Sequence, residues 1–452
     1  MTTRHMKRNF ILRTCWFAAI VLVLCSQLTY ATIDDNSYIR LSMHDIQTSS
    51  ESYDGLFLGS SVAWYSLDPA IWQYELGLRF FNMGMNSQSL FATNAVLETV
   101  LQTQSPKYCV YGMHWFFLTY TKQEMHISEM SAVTNRVYDQ MKPSAAKIHM
   151  FWNSVASEEL VRMVLPFTRD AQSNIAAVLQ TKASEGYRTY TSFRTENVNR
   201  NGYIGDGFAI RHRGMEQGMV GSACTESLKP RLHSTLSSAA AQELLAMKKL
   251  CQRNGVQLVI IVPPVTRAHM AQMGGQSEIE ALFDEARAIL GSDVPFIDFS
   301  YCREDFLCFE DSDYTDYTHL NYIGAQKFST AAAELFKRIV LEGENVDLSQ
   351  YFYPTFDDMM AHNADIFNAW LEITDGVATA RCTCGGLAAP EYEFSYAPLD
   401  EMPFEIVREY SQDNVLELSS LPYSKGFLRV SVRPVGSDEA YQQRWTMEVP
   451  QE

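Results

Sequence analysis

The sequence predicts a doubly wound α/β domain with a mostly parallel sheet, followed by a small all-β domain. Three observations support this prediction. Apolar segments of strand length alternate with helix-length segments from residue 53 to residue 341. One of these segments, at 256–262, is apolar at six of its seven positions, which is typical of a parallel strand covered on both faces. After residue 366 the pattern changes to short alternating stretches separated by turn residues, which indicates antiparallel strands.

The elements of the first domain follow in βαβ order. Strands are predicted at 56–58, 79–83, 108–113, 256–262 and 295–297. Helices are predicted at 89–103, 237–254, 277–290 and 322–341. Strands joined by helical crossovers build a parallel sheet covered on both faces. We therefore expect a flavodoxin-like, three-layer domain over residues 32–345.

Two other regions depart from this alternation. Residues 130–200 are helical in character and read as an insertion, either two surface helices packed on the sheet or a lid over a substrate. Residues 346–366 are acidic and aromatic and are expected to form a linker. Residues 367–452 carry alternating stretches at intervals of about ten residues, at 377–380, 392–396, 415–418 and 427–432, which predicts an immunoglobulin-like β-sandwich.

The first 31 residues have the composition of an export segment. Basic residues come first, an apolar run follows at 16–24, and the small residues Thr29 and Ala31 stand at the −3 and −1 positions of a cleavage site. The apolar run is short for a membrane span, which favours a cleaved signal peptide over an uncleaved membrane anchor. Either form predicts a protein that is secreted or held at the cell surface, with a membrane tether in the second case.

The charge balance bears on the partners. The chain has 36 basic and 53 acidic residues and a formal net charge of −17. It has no Lys/Arg-rich stripe that could neutralise phosphates, so we expect no nucleic-acid partner. Phosphate loops, zinc helices and dinucleotide-binding glycine patterns are absent from the sequence, so we expect no cofactor and no metal.

The first predicted strand ends in Gly59-Ser60-Ser61. Gly-Ser-Ser is an ordinary turn composition, so these serines could simply end the strand. The alternative is that one hydroxyl is a nucleophile. Chemistry in open α/β sheets collects at the carboxyl ends of the strands, which is where this turn falls.

A second informative stretch is DYTDYTHLNYIGAQKF, residues 313–328. It places Asp316 three residues before His319, just ahead of a predicted helix. An imidazole can take a proton from a hydroxyl while a neighbouring carboxylate orients the ring. His319 could instead be an exposed loop residue or a helix cap, because this spacing occurs by chance in many chains.

These stretches, together with LFLGSSVAWYSLDP and FNMGMNSQSL, resemble the SGNH (GDSL-type) hydrolase superfamily, particularly bacterial surface members. The resemblance covers about residues 53–341. It implies that Ser61 is the nucleophile and that Asp316 and His319 complete a catalytic triad. It also implies that the backbone N–H of Ser87 contributes to the oxyanion hole, in a position where the family usually has Gly.

The chain departs from the family pattern in two places. Ser60 stands where the family usually has Asp, and the third block, Gly-x-Asn-Asp, has no clean counterpart after the strand YCVYG. His114 is the polar side chain near that position; it could donate to the oxyanion or contact substrate, or it could be a buried histidine satisfied by the backbone. Asn86 could replace the missing amide.

By this resemblance the chain is expected to be an extracytoplasmic serine esterase. Its expected substrates are O-acyl groups, O-acetyl above all, of a glycan or another surface acyl ester. The alternatives are an O-acyltransferase acting on a surface polysaccharide and a non-catalytic surface-binding protein that keeps the fold. The C-terminal domain is expected to be a spacer or a module that binds cell-surface glycan or protein.

Overall fold

The computed structural model describes residues 3–32, 38–121, 124, 129–154, 160–168, 175–176, 179–180, 201–215, 229–399, 401–423 and 425–449. The helices are α1 (Thr3–Thr32), α2 (Tyr38–Thr48), α3 (Ser61–Ser66), α4 (Pro69–Leu76), α5 (Leu90–Val100), α6 (Glu129–Gln140), α7 (Ala145–Ser154), α8 (Leu160–Val164), α9 (Lys229–Leu232), α10 (Ser238–Arg253), α11 (Arg267–Met273), α12 (Gln276–Leu290), α13 (Tyr322–Phe336) and α14 (Phe356–Ala361). The strands are β1 (Gly55–Gly59), β2 (Phe80–Asn82), β3 (Tyr108–Gly112), β4 (Asn201–Gly205), β5 (Phe208–Arg211), β6 (Gln257–Val262), β7 (Phe296–Asp298), β8 (Ile366–Thr374), β9 (Val377–Cys384), β10 (Pro390–Ala397), β11 (Glu405–Ser411), β12 (Val415–Glu417), β13 (Phe427–Pro434) and β14 (Gln443–Glu448).

A five-stranded sheet in the order β2-β1-β3-β6-β7 forms the centre of the first domain. All four strand pairs are parallel. This is the flavodoxin-like order, in which the chain leaves β1 in opposite directions and opens a crevice at the carboxyl ends of β1 and β3. The predicted parallel sheet is confirmed.

Helices cover both faces of this sheet, and the strands divide their side chains between two hydrophobic cores. On β6, Leu258 and Ile260 lie in the core shared with α5, α10 and α12, whereas Val259 and Ile261 lie in the core shared with α4 and α13. Strand side chains alternate between faces, so a strand buried on both sides is apolar at every position. This explains why the strand is apolar at every position from Leu258 to Val262, after the exposed Gln257 at its start.

The predicted insertion is described only in part. Within 130–200 the structure gives α6, α7, α8 and a short 3₁₀ turn at Pro166–Thr168. Residues 155–159, 169–174, 177–178 and 181–200 lie outside the described residues. An antiparallel hairpin, β4–β5, follows the insertion and was not predicted from the sequence.

This hairpin covers the edge of the parallel sheet. The backbone N–H of Asn82 in the edge strand β2 donates to the carbonyl of Asp206 at the hairpin turn, at 2.8 Å. The indole N–H of Trp64 donates to the carbonyl of Gly207 at 2.8 Å. An open edge strand offers unpaired backbone groups to other chains, and the hairpin turn occupies one of them.

The segment expected to be a linker packs on the first domain. Phe352 pairs with Cys302, and the backbone N–H of Tyr353 donates to the carbonyl of Tyr301 at 2.8 Å. Helix α14 lies within this segment, and the backbone N–H of Phe356 at its start donates to the carboxylate of Glu280 at 2.8 Å. Its aromatic residues are therefore part of the packed structure.

The C-terminal region forms a β domain of two antiparallel sheets. Their strand orders are β11-β10-β13-β14 and β12-β9-β8. The sheets share one core, in which Phe394 and Val430 of the first meet Leu371 and Ala380 of the second. Strands β8, β11 and β14 were not predicted. Strand β11 shows no regular alternation of buried and exposed residues, because none of its residues is fully buried.

Helix α1 contains the segment Lys7–Thr29, which is long and apolar enough to cross a membrane. Its apolar side chains, Trp16, Phe17 and Leu22 among them, are exposed. This agrees with a signal peptide or a membrane anchor at the N-terminus.

Candidate active site

Two glycine residues, Gly59 and Gly112, allow the close packing that positions Ser61 at the end of β1. Gly59 has φ 140°, and a Cβ added there would lie 2.5 Å from the carbonyl oxygen of Gly112 on β3. A Cβ on Gly112 would in turn lie 2.3 Å from the Cβ of Ala63 on α3. The two glycines therefore allow β1, β3 and α3 to approach closely. Ser61, the first residue of α3, lies at the carboxyl end of β1 as a result.

Backbone pairing holds the loop that carries Asp316 and His319. Tyr314 and Leu320 form an antiparallel bridge, and the N–H of Thr315 donates to the carbonyl of His319 at 2.9 Å. Immediately afterwards the side chain of Asn321 caps α13, accepting the N–H of Gly324 at 3.0 Å. The loop is thus closed on itself and fixed to the start of a helix.

The structure brings Ser61, His319 and Asp316 together in one hydrogen-bonded series. The distance from Ser61 Oγ to His319 Nε2 is 2.7 Å. His319 Nδ1 lies 2.8 Å from Asp316 Oδ1 and 2.9 Å from Asp316 Oδ2. Ser61 and His319 are 258 positions apart in the chain, so their contact depends on the fold.

Electrostatics keep Asp316 ionised. Burial raises the pKa of this carboxyl, but the hydrogen bond and charge of His319, the backbone N–H of Thr318 and the positive charge of Arg211 outweigh it and hold the pKa well below its usual range. An ionised carboxylate only accepts hydrogen bonds, so Nδ1 of His319 must be the donor. The lone pair of Nε2 is then directed at the Ser61 hydroxyl, which is the arrangement a general base requires.

Asn86 and Ser87 lie beside the end of β1. The N–H of Met83 donates to the carbonyl of Phe57 at 2.8 Å, and the N–H of Met85 donates to that of Gly59 at 3.2 Å, so the pairing continues past β2. Ser87 has φ 51°, a left-handed conformation that glycine adopts more readily. Ser87 therefore lies in a turn whose backbone conformation would suit glycine.

His114 lies at the end of β3, two residues after Gly112, which pairs with Gly59. Its Nδ1 accepts the N–H of Phe116 at 3.3 Å. Burial, with the neighbouring His269 and His319 in addition, lowers the pKa of His114 to about 3. The ring is therefore neutral at physiological pH, and its proton is on Nε2, which leaves that atom as a hydrogen-bond donor.

Two residues of the site, Arg211 and Tyr65, were not predicted. Arg211 Nη1 donates to Asp316 Oδ2 at 2.8 Å. Its guanidinium carbon lies 4.3 Å from the centre of the Tyr65 ring, and that ring meets His319 edge-on at 5.7 Å. The Gly-Asp-Gly at 205–207, between two short apolar stretches, is a hairpin signal that could have located the segment carrying Arg211.

A third histidine, His269, packs against the loop that carries Asp316 and was not predicted from the sequence. It is buried, and its ring centre is 4.6 Å from that of Tyr317. Burial lowers its pKa to about 4, although the charge of Asp316 acts in the opposite direction. The neutral His269 ring therefore packs beside the loop of Asp316 and His319 without adding a charge.

Ser60, adjacent to Ser61, is in a different environment. Its side chain is 3 % exposed, and its hydroxyl has no hydrogen-bond partner among the described residues. The two neighbouring serines therefore differ chemically: the Ser61 hydroxyl contacts a base, whereas that of Ser60 faces the interior.

Comparisons with known proteins give likenesses of fold. No protein-family model and no curated protein matches the chain. A candidate platelet activating factor from Streptococcus pneumonia is similar over 70% of this chain and 98% of its own, with 12% identity and a TM-score of 0.31. A GDSL-like lipase from Bacteroides thetaiotaomicron is similar over 69% of this chain and 100% of its own, with 10% identity and a TM-score of 0.29. A candidate acylhydrolase from Bacteroides fragilis is similar over 66% and 94%, with 8% identity and a TM-score of 0.29.

Proposed function

We propose that this protein is an extracytoplasmic serine esterase of the SGNH type. One observation carries the proposal: the hydroxyl of Ser61 contacts His319 Nε2 at 2.7 Å, while His319 Nδ1 contacts the ionised Asp316 at 2.8 Å. A serine paired with an oriented imidazole is the arrangement used for acyl transfer through a covalent intermediate. The proposed substrate is an O-acyl ester, with O-acetyl as the expected acyl group, on a glycan or another surface molecule.

In the first half of the reaction Ser61 Oγ attacks the ester carbonyl carbon, and its proton moves to His319 Nε2. Asp316 stabilises the imidazolium that forms. The developing oxyanion is held by the backbone N–H groups of Ser61 and Ser87 and by the Nε2–H of His114, with the Asn86 side chain close to the same turn. Because the N–H of Ser61 belongs to the first residue of α3, no carbonyl within that helix uses it.

In the second half the tetrahedral intermediate collapses. His319 gives its proton to the leaving alcohol, and the acyl group remains on Ser61. Water activated by His319 then attacks the acyl-enzyme and releases the carboxylic acid. If a hydroxyl of a second glycan attacked instead, the same residues would carry out O-acyl transfer.

The surroundings of the site fit an exported enzyme. The apolar segment Lys7–Thr29 would deliver or tether the chain. The C-terminal β domain packs on α11 of the first domain through β8 and β9. At the start of this helix, Arg267 Nη2 contacts the carboxylate of Glu304 at 2.6 Å, and Arg267 Nη1 contacts that of Asp365, the residue before β8, at 3.8 Å. A cavity of about 600 Å³ lies between the two domains beside Arg267. We propose that this domain is a spacer or a binding module for surface glycan or protein.

Labelling and turnover test the proposal together. The protein without its first 31 residues is treated with a fluorophosphonate probe and assayed with p-nitrophenyl acetate. Wild type should be labelled and active, and both Ser61→Ala and His319→Ala should lose labelling and turnover. Ser60→Ala is the matched control, because the Ser60 hydroxyl has no described partner, and it should keep both. Equal labelling of wild type and Ser61→Ala would contradict the assignment of the nucleophile.

A second assay separates the outcomes of the acyl-enzyme. The protein is incubated with acetylated xylan, and free acetate is measured with and without a de-acetylated acceptor polysaccharide. Acetate release in the absence of acceptor supports the esterase. Transfer of acetyl to the acceptor without acetate release would replace the esterase by an acyltransferase. A protein that binds the polysaccharide but is neither labelled nor active would be a non-catalytic binding protein.

A further inference from the structure

We infer, on the basis of the proposed function, that Arg211 is a positioning residue for the reaction and that the β4–β5 hairpin supplies it to complete the site. Its guanidinium contacts the carboxylate of Asp316 and packs against the aromatic ring that borders His319. The active site is then built from four side chains: Ser61, His319, Asp316 and Arg211.

Both oxygens of Asp316 contact His319 Nδ1, at 2.8 Å from Oδ1 and 2.9 Å from Oδ2, but their other partners differ. Oδ1 accepts hydrogen bonds from the loop itself: the N–H and hydroxyl of Thr318, at 3.0 and 3.2 Å, and the N–H of His319, at 3.0 Å. Oδ2 contacts His319 Nδ1 at 2.9 Å and Arg211 Nη1 at 2.8 Å. Within the described part of the chain, Arg211 is thus the partner that fixes Oδ2 from outside the loop. Without it the carboxylate could rotate about its bond to Cβ and misdirect the imidazole.

Arg211 also contacts the other side of the site. Its guanidinium carbon lies 4.3 Å from the centre of the Tyr65 ring, a cation–π distance. Tyr65 is 4 % exposed and lies one helical turn after Ser61 on α3. The Tyr65 ring meets the His319 ring edge-on at 90°. One side chain therefore links the helix that bears the nucleophile to the loop that bears the base.

The position of Arg211 is fixed on both sides along the chain. Before it, the hairpin turn is bound to α3 and β2 through the carbonyls of Gly207 and Asp206. After it, the N–H of Met215 donates to the carbonyl of Tyr314 at 2.8 Å, directly beside the loop of Asp316. Gly214 approaches the same loop so closely that a Cβ there would lie 2.6 Å from the carbonyl of Ser312. The side chain of Arg211 is 21 % exposed and that of Asp316 34 % exposed, so the ion pair is partly shielded from solvent.

The test compares Arg211→Ala, Arg211→Lys and the control Arg213→Ala in the p-nitrophenyl acetate assay. Arg213 is two residues further along the same segment and is exposed. For Arg211→Ala we expect kcat to fall roughly 10- to 100-fold with little change in KM, since a hydrogen bond between charged groups is lost and substrate is not contacted. Arg211→Lys should retain part of the activity, because it keeps the charge but not the planar fork. Arg213→Ala should match wild type.

Chemical rescue separates positioning from folding. Guanidinium chloride at low, non-denaturing concentration should raise the kcat of Arg211→Ala, because the free cation can occupy the vacated place beside Asp316. It should not raise the activity of Ser61→Ala or Arg213→Ala. Circular dichroism and the thermal midpoint report whether each variant is folded. A folded Arg211→Ala with wild-type kcat, or one that guanidinium does not rescue, would overturn the role of Arg211.

The readouts also separate this role from the proposed function. If wild type is neither labelled by the fluorophosphonate probe nor active, the esterase itself is wrong. If wild type is labelled and active while Arg211→Ala behaves identically, the esterase stands and the positioning role of Arg211 fails.

Discussion

Replacing His114 with Phe would remove one donor from the proposed oxyanion hole while keeping an aromatic ring in place. The His114 ring stacks on Trp115 at 5.8 Å and meets Phe116 and Phe117 edge-on at 6.5 and 6.4 Å. A phenyl ring preserves these contacts. What it loses is the Nε2–H and the acceptor of the Phe116 N–H.

The two losses have different magnitudes. The backbone N–H of Phe116 loses a capping partner, which costs about 0.5–2 kcal/mol of stability. The loss of one oxyanion donor lowers kcat by about 10²–10³, equivalent to roughly 2.7–4 kcal/mol of transition-state stabilisation. The effect on rate should therefore far exceed the effect on folding, and it should appear in kcat rather than in KM.

The pH dependence gives a second test of His114. With a pKa of about 3, the imidazole is charged only below that pH and is neutral throughout a normal assay range. The ratio of wild-type to His114→Phe activity should thus be constant from about pH 6 to pH 9. A ratio that changes with pH in this range would contradict a neutral donor.

The measurement is kcat and KM for p-nitrophenyl acetate across this range. His114→Asn is the control, because it keeps a side-chain N–H donor and a capping oxygen, and it should retain more activity than His114→Phe. Activity of His114→Phe within about threefold of wild type, against the 10²–10³ expected for an oxyanion donor, would refute the role of His114.

Three further predictions concern the rest of the molecule. Asp316→Asn should lower kcat by about 10⁴, because an amide at this position favours the wrong tautomer of His319. Extended assays at high enzyme concentration measure this low kcat. The pKa of Asp316 is held below its usual range, so its ionised form stabilises the fold above about pH 3.9 and this contribution is lost as the pH falls. The thermal midpoint of Asp316→Asn should consequently depend less on acid pH than that of wild type. Gly207→Ala should displace the hairpin and lower kcat, because φ is 78° and a Cβ would lie 1.7 Å from the carbonyl oxygen of Asn82. Gly343→Ala, with φ 67° and no atom within 4 Å of the added Cβ, carries the backbone strain alone and should keep full activity; equal kcat in the two variants would contradict the role of the hairpin. Finally, the exported protein should begin at Thr32, as intact mass and N-terminal sequencing report, whereas a full-length chain in the membrane fraction would identify α1 as an anchor.

Much of the α/β domain was predictable because its signals are local. The segment 256–262 is apolar at every position except Gln257, since both faces of the sheet are covered, and the helices between strands carry recognisable caps, such as Ser89 and Ser237. Strands β8, β11 and β14 were missed. Residues of β11 and β14 are mostly only partly buried or exposed, whereas β8 is buried at four successive positions, 366–369, so β8 shows no alternation of buried and exposed residues there.

The β4–β5 hairpin and residues 346–366 show which features local sequence patterns do not report. Residues 346–366 are polar enough to look like a connection, yet Phe352 and Met359 are buried against the first domain. That burial depends on partners that are distant in the chain, such as Tyr301, and no local pattern reports them. Strands β4 and β5 were missed although Gly-Asp-Gly at 205–207 is a local hairpin signal, but the docking of this hairpin on the edge of the sheet has no such signal.

The sequence by itself determined which residues could do chemistry: a serine at a strand end, and an aspartate three residues before a histidine. Turn composition and spacing are local properties, so they could be read directly. Only the tertiary structure decided that Ser61 and His319 lie 2.7 Å apart, that the Ser60 hydroxyl faces the interior and that Arg211 contacts Asp316. Arg211 belongs to a hairpin 105 residues from Asp316. Its ion pair arises because the hairpin docks on the edge of the sheet, and contacts of that kind depend on packing rather than on any pattern along the chain.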